Sequence, residues 1–136
     1  MKYIDTNVII AFINDNDTNH SKALRVIDGT AEMVTSPITA LELRSVLSRS
    51  TTLEESEIEA YVDYLDEMNV KVPKINLASV FLRAEEITCE IKMKTLDILH
   101  LSASLIIQAE VFVTFDKEFI EKERTIRELG LKVQFS

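Results

Sequence analysis

Five short apolar runs, each too brief for a helix, constrain the fold more than any other feature of the chain. They are Tyr3-Ile4, Met33-Val34-Thr35, residues 70–72, residues 111–114 and residues 131–135, and they read as buried strands. Between them lie longer segments with helical spacing. Only two glycines and two prolines punctuate the sequence, so the boundaries rest on periodicity. Helices are expected over 6–13, 21–28 (ended by Gly29), 37–49 (opened by Pro37), 53–68, 77–92 and 96–108. A short or broken helix is expected over 117–129, ended by Gly130. The 53–68 helix is amphipathic, with Ile58, Tyr61, Val62 and Leu65 at helical spacing. Strands that alternate with helices in this way imply an α/β fold with a mainly parallel sheet covered on both faces.

A chain of 136 residues is the size of one domain, 1–136, and can bury a core without staples. No apolar run is long enough to span a bilayer. The opening Met1-Lys2-Tyr3-Ile4-Asp5 meets a charge too early for a signal peptide. The single Cys89 makes no intramolecular disulfide, and no Cys/His pair has zinc spacing. A cytoplasmic location is the expectation. The net charge of −8, taken alone, opposes a nucleic-acid partner. Seven of the acids, however, fall between Glu54 and Glu67 with no base among them, which leaves sixteen against fifteen bases elsewhere. The acidity belongs largely to one helix, and phosphate can be met on another surface.

In parallel sheets, ligands bind beyond the carboxyl ends of the strands, near a switch in strand order. Asp5 and Asp116 each follow a strand there. Each has a plain alternative as a helix N-cap. Asp97 lies in the first turn of the 96–108 helix, where Thr95 is a candidate cap and an acid suits the helix dipole. Glu42 differs, because Ile38 four residues before it and Val46 four after place it on an apolar stripe, adjoined by Leu41. Its structural alternative is a salt bridge with Arg44, Arg49 or a distant lysine. Taken together, the four acids suggest a divalent-metal site, since a cation removes the repulsion between converging carboxylates. All-oxygen ligation suits Mg²⁺ or Mn²⁺, whereas zinc is expected to recruit His or Cys, and neither is well placed. Asn7 and Thr114 flank the strand-end acids as supporting groups, with turn or cap chemistry as their alternative. His100, one turn beyond Asp97, reads as a satisfied core histidine and falls outside the site. Lys94, Lys117 and Arg44 are candidate phosphate contacts whose commoner role is solvated surface.

These residues resemble a known family. Ile4-Asp5-Thr6-Asn7-Val8 is similar to the opening motif of PIN domains, and Thr39-Ala40-Leu41-Glu42-Leu43 to their glutamate-bearing second motif. Leu96-Asp97-Ile98-Leu99-His100-Leu101, followed by the small Ser102 and Ala103, resembles the third. Val113-Thr114-Phe115-Asp116-Lys117-Glu118-Phe119 resembles the fourth. The ordered set covers nearly the whole chain, and its length is similar to small prokaryotic VapC-like toxins. The resemblance implies a three-layer α/β/α sandwich with about five strands. It implies a Mg²⁺- or Mn²⁺-dependent endoribonuclease acting on RNA, with Asp5, Glu42, Asp97 and Asp116 as metal-site acids. Asp5 and Asp97 are the expected direct ligands, and Glu42 and Asp116 either ligate or hold water. A homodimer and a small cognate antitoxin are the implied partners. Two alternatives remain: a PIN-like binding module whose catalysis has lapsed, and a Mg²⁺-dependent aspartyl phosphotransfer protein. For the aromatic face of the 53–68 helix, core is expected for Tyr61 and Leu65, and an interface for Tyr64.

Overall fold

A computed structural model describes residues 1–136. Five strands form one sheet: β1 (Lys2–Ile4), β2 (Met33–Val34), β3 (Val70–Lys71), β4 (Val111–Val113) and β5 (Lys132–Gln134). Their order is β3-β2-β1-β4-β5, and all four pairings are parallel. Eight helices connect them: α1 (Thr6–Ile13), α2 (His20–Val26), α3 (Pro37–Ser50), α4 (Glu55–Glu67), α5 (Leu77–Ile91), α6 (Thr95–Ile107), α7 (Lys117–Glu121) and α8 (Glu123–Glu128). Each expected element is present, mostly trimmed by a residue or two. The expected 117–129 helix is broken at Lys122, where α7 and α8 meet. Gly130 follows at φ 91°, a left-handed turn that suits glycine.

The strands are buried on both sides because their side chains alternate between two apolar layers. Tyr3, Val34, Phe112 and Val133 enter one cluster with residues of α5, α6, α7 and α8. Ile4, Met33, Val70 and Val113 enter the other with residues of α1, α2, α3 and α4. The result is three layers, helices–sheet–helices. At the centre of the first cluster Tyr3 stacks on Phe112 and Phe112 on Phe119, with ring centroids 5.2 and 4.8 Å apart; each such pair adds about 0.5–1.5 kcal/mol beyond area burial. No helix is long and apolar enough to cross a membrane.

Two readings of the helices need correction. The buried face of α3 is Thr39, Ala40, Leu43 and Leu47, while Leu41 is exposed and the Ile38–Glu42–Val46 stripe is half-buried beside it. Leu65 is core as expected, but Tyr61 is not. It stands 37% exposed and shares a groove with Phe12, Ile13, Ala60 and Tyr64.

Candidate metal centre

The strand order places the site. From β1 the chain goes to β2 and β3 on one side, and from β4 to β5 on the other, so the switch lies between β1 and β4. Asp5 ends β1, and Thr114 to Asp116 end β4. A cavity of about 230 Å³ opens there, lined by Asp5, Thr6, Asn7, Glu42, Asp97, His100 and Asp116, with Ile10 and Val46 as its apolar part. All four acids proposed from sequence therefore meet in one place, although they arise on β1, α3, α6 and β4.

Asp5 is buried, and both its oxygens are engaged. Oδ1 accepts the Thr6 N–H at 2.8 Å, and Oδ2 accepts the Thr114 hydroxyl at 2.8 Å. Burial pushes its carboxyl up, against the opposing pull of His100 and these two hydrogen bonds. Thr114, fully buried, also accepts from the Asp116 N–H at 3.0 Å and from Asn7 Nδ2 at 3.3 Å. Asn7 Oδ1 in turn accepts the Phe115 N–H at 3.1 Å. Asn7 and Thr114 thus lace the start of α1 to the end of β4. Neither side chain is spare, and Asn7 bonds no carboxylate.

The plain alternatives hold for three acids, two as helix caps and one as an acid in a first helical turn. Asp5 caps α1, and Asp116 caps α7 by accepting the Glu118 N–H at 3.0 Å. Each cap engages an N–H group at the start of its helix, where an anion would otherwise be favoured. Asp97 caps nothing. Lys94 holds the N-cap position of α6 without a side-chain bond, Thr95 is already helical, and Asp97 follows in the first turn. Its carboxyl is pushed up to about 6 by burial first, then by the charges of Asp116, Glu118 and Asp5.

Glu42 finds a partner that the sequence did not offer. Arg44 is taken by Glu59, with Nε–Oε1 at 2.7 Å and Nη2–Oε2 at 3.0 Å. Glu42 Oε1 instead meets His100 Nε2 at 3.0 Å. Burial alone would raise the Glu42 carboxyl, but His100, Thr6 and the more distant Arg49 outweigh it and leave it below the usual range. His100 shows the converse: burial would lower it, yet Glu42, Asp5 and Asp97 hold it up. His100 was expected outside the site, yet it lies beside the acids. His100 is a buried core residue and also a wall of the site. Ligand atoms of Asp5, Glu42 and His100 lie within 4.8 Å of one another. Lys94, another candidate phosphate contact, lies 3.9 Å from Glu118.

The donor set fits a divalent cation. Four carboxylates converge with one imidazole as their only possible positive neighbour on the cavity wall. The Asp97 carboxylate is shifted by burial and repulsion, with no hydrogen bond to support it. Thr6 also lines the cavity, and its hydroxyl is the one buried side-chain polar atom in the chain without a partner. Oxygen-rich sites of this kind suit Mg²⁺ or Mn²⁺ with retained water.

Comparison with known proteins agrees with this architecture. A search of curated protein sequences finds no match. Among solved structures, VapBC2 from Rickettsia felis, bound to a DNA fragment from its promoter, aligns at a TM-score of 0.69 and 18% identity over 98% of each chain. VapBC-1 from nontypeable Haemophilus influenzae aligns at 0.69 and 21% identity, over 98% of this chain and 97% of that one. Mycobacterium tuberculosis VapC20, a sarcin–ricin loop cleaving toxin, aligns at 0.70 and 17% identity, over 89% of this chain and 94% of that one. These likenesses establish a shared fold. The sequence model of the PIN domain matches residues 2–124, a span that holds all four acids and the network behind them, and on that match the chain belongs to the PIN domain family.

Proposed function

We propose that this protein is a Mg²⁺- or Mn²⁺-dependent endoribonuclease and the toxin of a toxin–antitoxin pair. The observation that carries the reading is Asp97: an acid with no capping role and no hydrogen bond, raised by burial and its acidic neighbours in a four-carboxylate cavity. Such a group costs stability unless a cation is bound. Asp5 and Asp97 would hold the cation directly, and Glu42 and Asp116 would ligate it or orient its waters. A divalent cation bound there would supply charge neutralisation for a phosphodiester and a lowered pKa for water. The chain's own residues do the arranging. Thr114 and Asn7 fix the strand ends that carry Asp5 and Asp116, and the apolar Ile10 and Val46 limit water on one side of the cavity. RNA as substrate is supported by family membership and by the similarity to VapC20.

An antitoxin is supported by two features. The structural relatives include toxin–antitoxin complexes. The groove of Phe12, Ile13, Ala60, Tyr61 and Tyr64 runs beside the acidic α4, and a basic amphipathic segment would complement it. A cytoplasmic homodimer forming one domain over 1–136 completes the proposal. The test is cleavage of RNA by purified protein with Mg²⁺ or Mn²⁺, abolished by chelator and by Asp97→Asn. Cleavage that survives the substitution refutes the mechanism. Metal binding without cleavage of any RNA identifies a lapsed binding module, and an acyl-phosphate trapped on Asp5 identifies the phosphotransfer alternative.

A further inference from the structure

Glu42 is the acid with the longest side chain in the cavity, and it is half-buried on a helix whose buried face points elsewhere. Free of restraint, it would turn to solvent or toward Arg49, and the rotamer freedom lost on holding it in place would weaken any ligand it met. One contact restrains it: His100 Nε2 at 3.0 Å.

That imidazole is itself immobilised. His100 is only 2% exposed. Its Nδ1 lies 3.1 Å from the Tyr3 hydroxyl and 3.4 Å from Thr39 Oγ1. The Tyr3 hydroxyl is held 2.7 Å from Ser36 Oγ, and its ring is stacked on Phe112. The His100 ring meets Tyr3 edge-on, with centroids 6.2 Å apart. A clamp built from β1 and the start of α3 therefore fixes a ring on α6, and the ring's far nitrogen reaches back to α3 at Glu42. Both nitrogens are committed, Nε2 through its proton and Nδ1 by the hydroxyls, so the ring has no lone pair free for a cation, despite its nearness to Asp5 and Glu42. Such an arrangement is what outer-shell partners of metal-site carboxylates do: they orient the ligand.

We propose that His100 is a positioning residue, which, clamped by Tyr3 and Thr39, aims the Glu42 carboxylate into the acidic cavity through its Nε2–H. The inference rests on the nuclease reading only in that the aimed carboxylate serves a divalent cation.

The test is Mn²⁺ binding by the full chain, followed by calorimetry and by electron paramagnetic resonance. An Asn side chain places its amide near Nδ1 and does not reach Glu42, whereas a Gln amide stands where Nε2 stood. His100→Asn should weaken Mn²⁺ binding about 10–100-fold, and His100→Gln should stay near the wild type. In a Glu42→Gln background, His100→Asn should cause no further loss. Tyr3→Phe keeps the ring stack, takes the hydroxyl away from Nδ1 and from Ser36 and Thr39, and should weaken Mn²⁺ binding severalfold; it serves if His100→Asn does not fold. Wild-type affinity in His100→Asn or in Tyr3→Phe, equal losses in the Asn and Gln variants, or a ¹⁴N coupling from an imidazole bound to Mn²⁺ would each overturn the proposal. Absence of Mn²⁺ binding in the wild type would refute the nuclease reading and this inference with it, an outcome distinct from the others.

Discussion

Asp97→Asn should stabilise the metal-free protein at neutral pH. Burial and the charges of Asp116, Glu118 and Asp5 move the Asp97 carboxyl from 3.8 to about 6, a distance worth roughly 3 kcal/mol at full strength. Asp97 is only half-buried, so water screens the effect to about 1–2 kcal/mol. The substitution also loses the benefit of an acid in the first turn of α6, about 0.3–1 kcal/mol. A net gain of about 1 kcal/mol remains, or about 4 °C in Tm for a chain of this size. The sign follows from proton binding. Below the ordinary carboxylate range the folded and unfolded chains both hold the Asp97 proton, and the variant gains nothing. As pH climbs toward about 6 the unfolded chain ionises first, so the wild type loses stability relative to the variant, and the gap is complete above that pH. Thermal unfolding of both proteins in chelator, from about pH 4 to about pH 7.5, measures this gap. Adding Mn²⁺ should then raise the wild type and leave the variant nearly unmoved. A variant less stable than the wild type in chelator at neutral pH would refute the reasoning, and so would a gap independent of pH.

Three further outcomes follow from the contacts. Thr114→Val leaves Asp5 Oδ2, Asn7 Nδ2 and the Asp116 N–H without the hydroxyl they share; chemical denaturation should show a loss of about 2–3 kcal/mol. Arg44→Ala removes a half-exposed pair with Glu59 that lies outside the cavity, so stability should fall by no more than about 1 kcal/mol and RNA cleavage should persist. Tyr64→Ala, at a position 47% exposed in the groove beside α4, should change stability by less than about 0.5 kcal/mol while weakening capture by a cognate antitoxin, as titration calorimetry would read.

The fold was legible because strand residues alternate between two apolar layers and helix residues do not. Runs as short as Tyr3-Ile4 and Met33-Val34 announce strands buried on both faces. The strand-end acids Asp5 and Asp116 were legible for the same reason, since position alone puts them at the sheet's carboxyl edge. Glu42 is only half legible, because its apolar stripe is not the buried face of α3. Of that stripe, Glu42 and Val46 line the cavity, while Thr39, Ala40, Leu43 and Leu47 carry the burial of α3. His100 was missed because its partner lies 58 residues away on another helix. A histidine on an apolar helix carries no local signal that separates a core residue from one facing an acid across the fold. Tyr61 was misplaced because helical spacing names a face but does not say how far the neighbouring helix extends to cover it. The exchange of Thr95 for Lys94 at the cap of α6 is a one-residue shift that no periodicity resolves.

The central claim is that four carboxylates from four elements make one divalent-cation site. Crystals grown with Mn²⁺ test it most directly, because anomalous scattering marks the ion's position. The account predicts a peak in the cavity lined by Asp5, Glu42, Asp97 and Asp116, within bonding distance of Asp5 and Asp97 and lost in Asp97→Asn. A cavity free of any anomalous peak at saturating Mn²⁺, or a peak held by other residues alone, would contradict it.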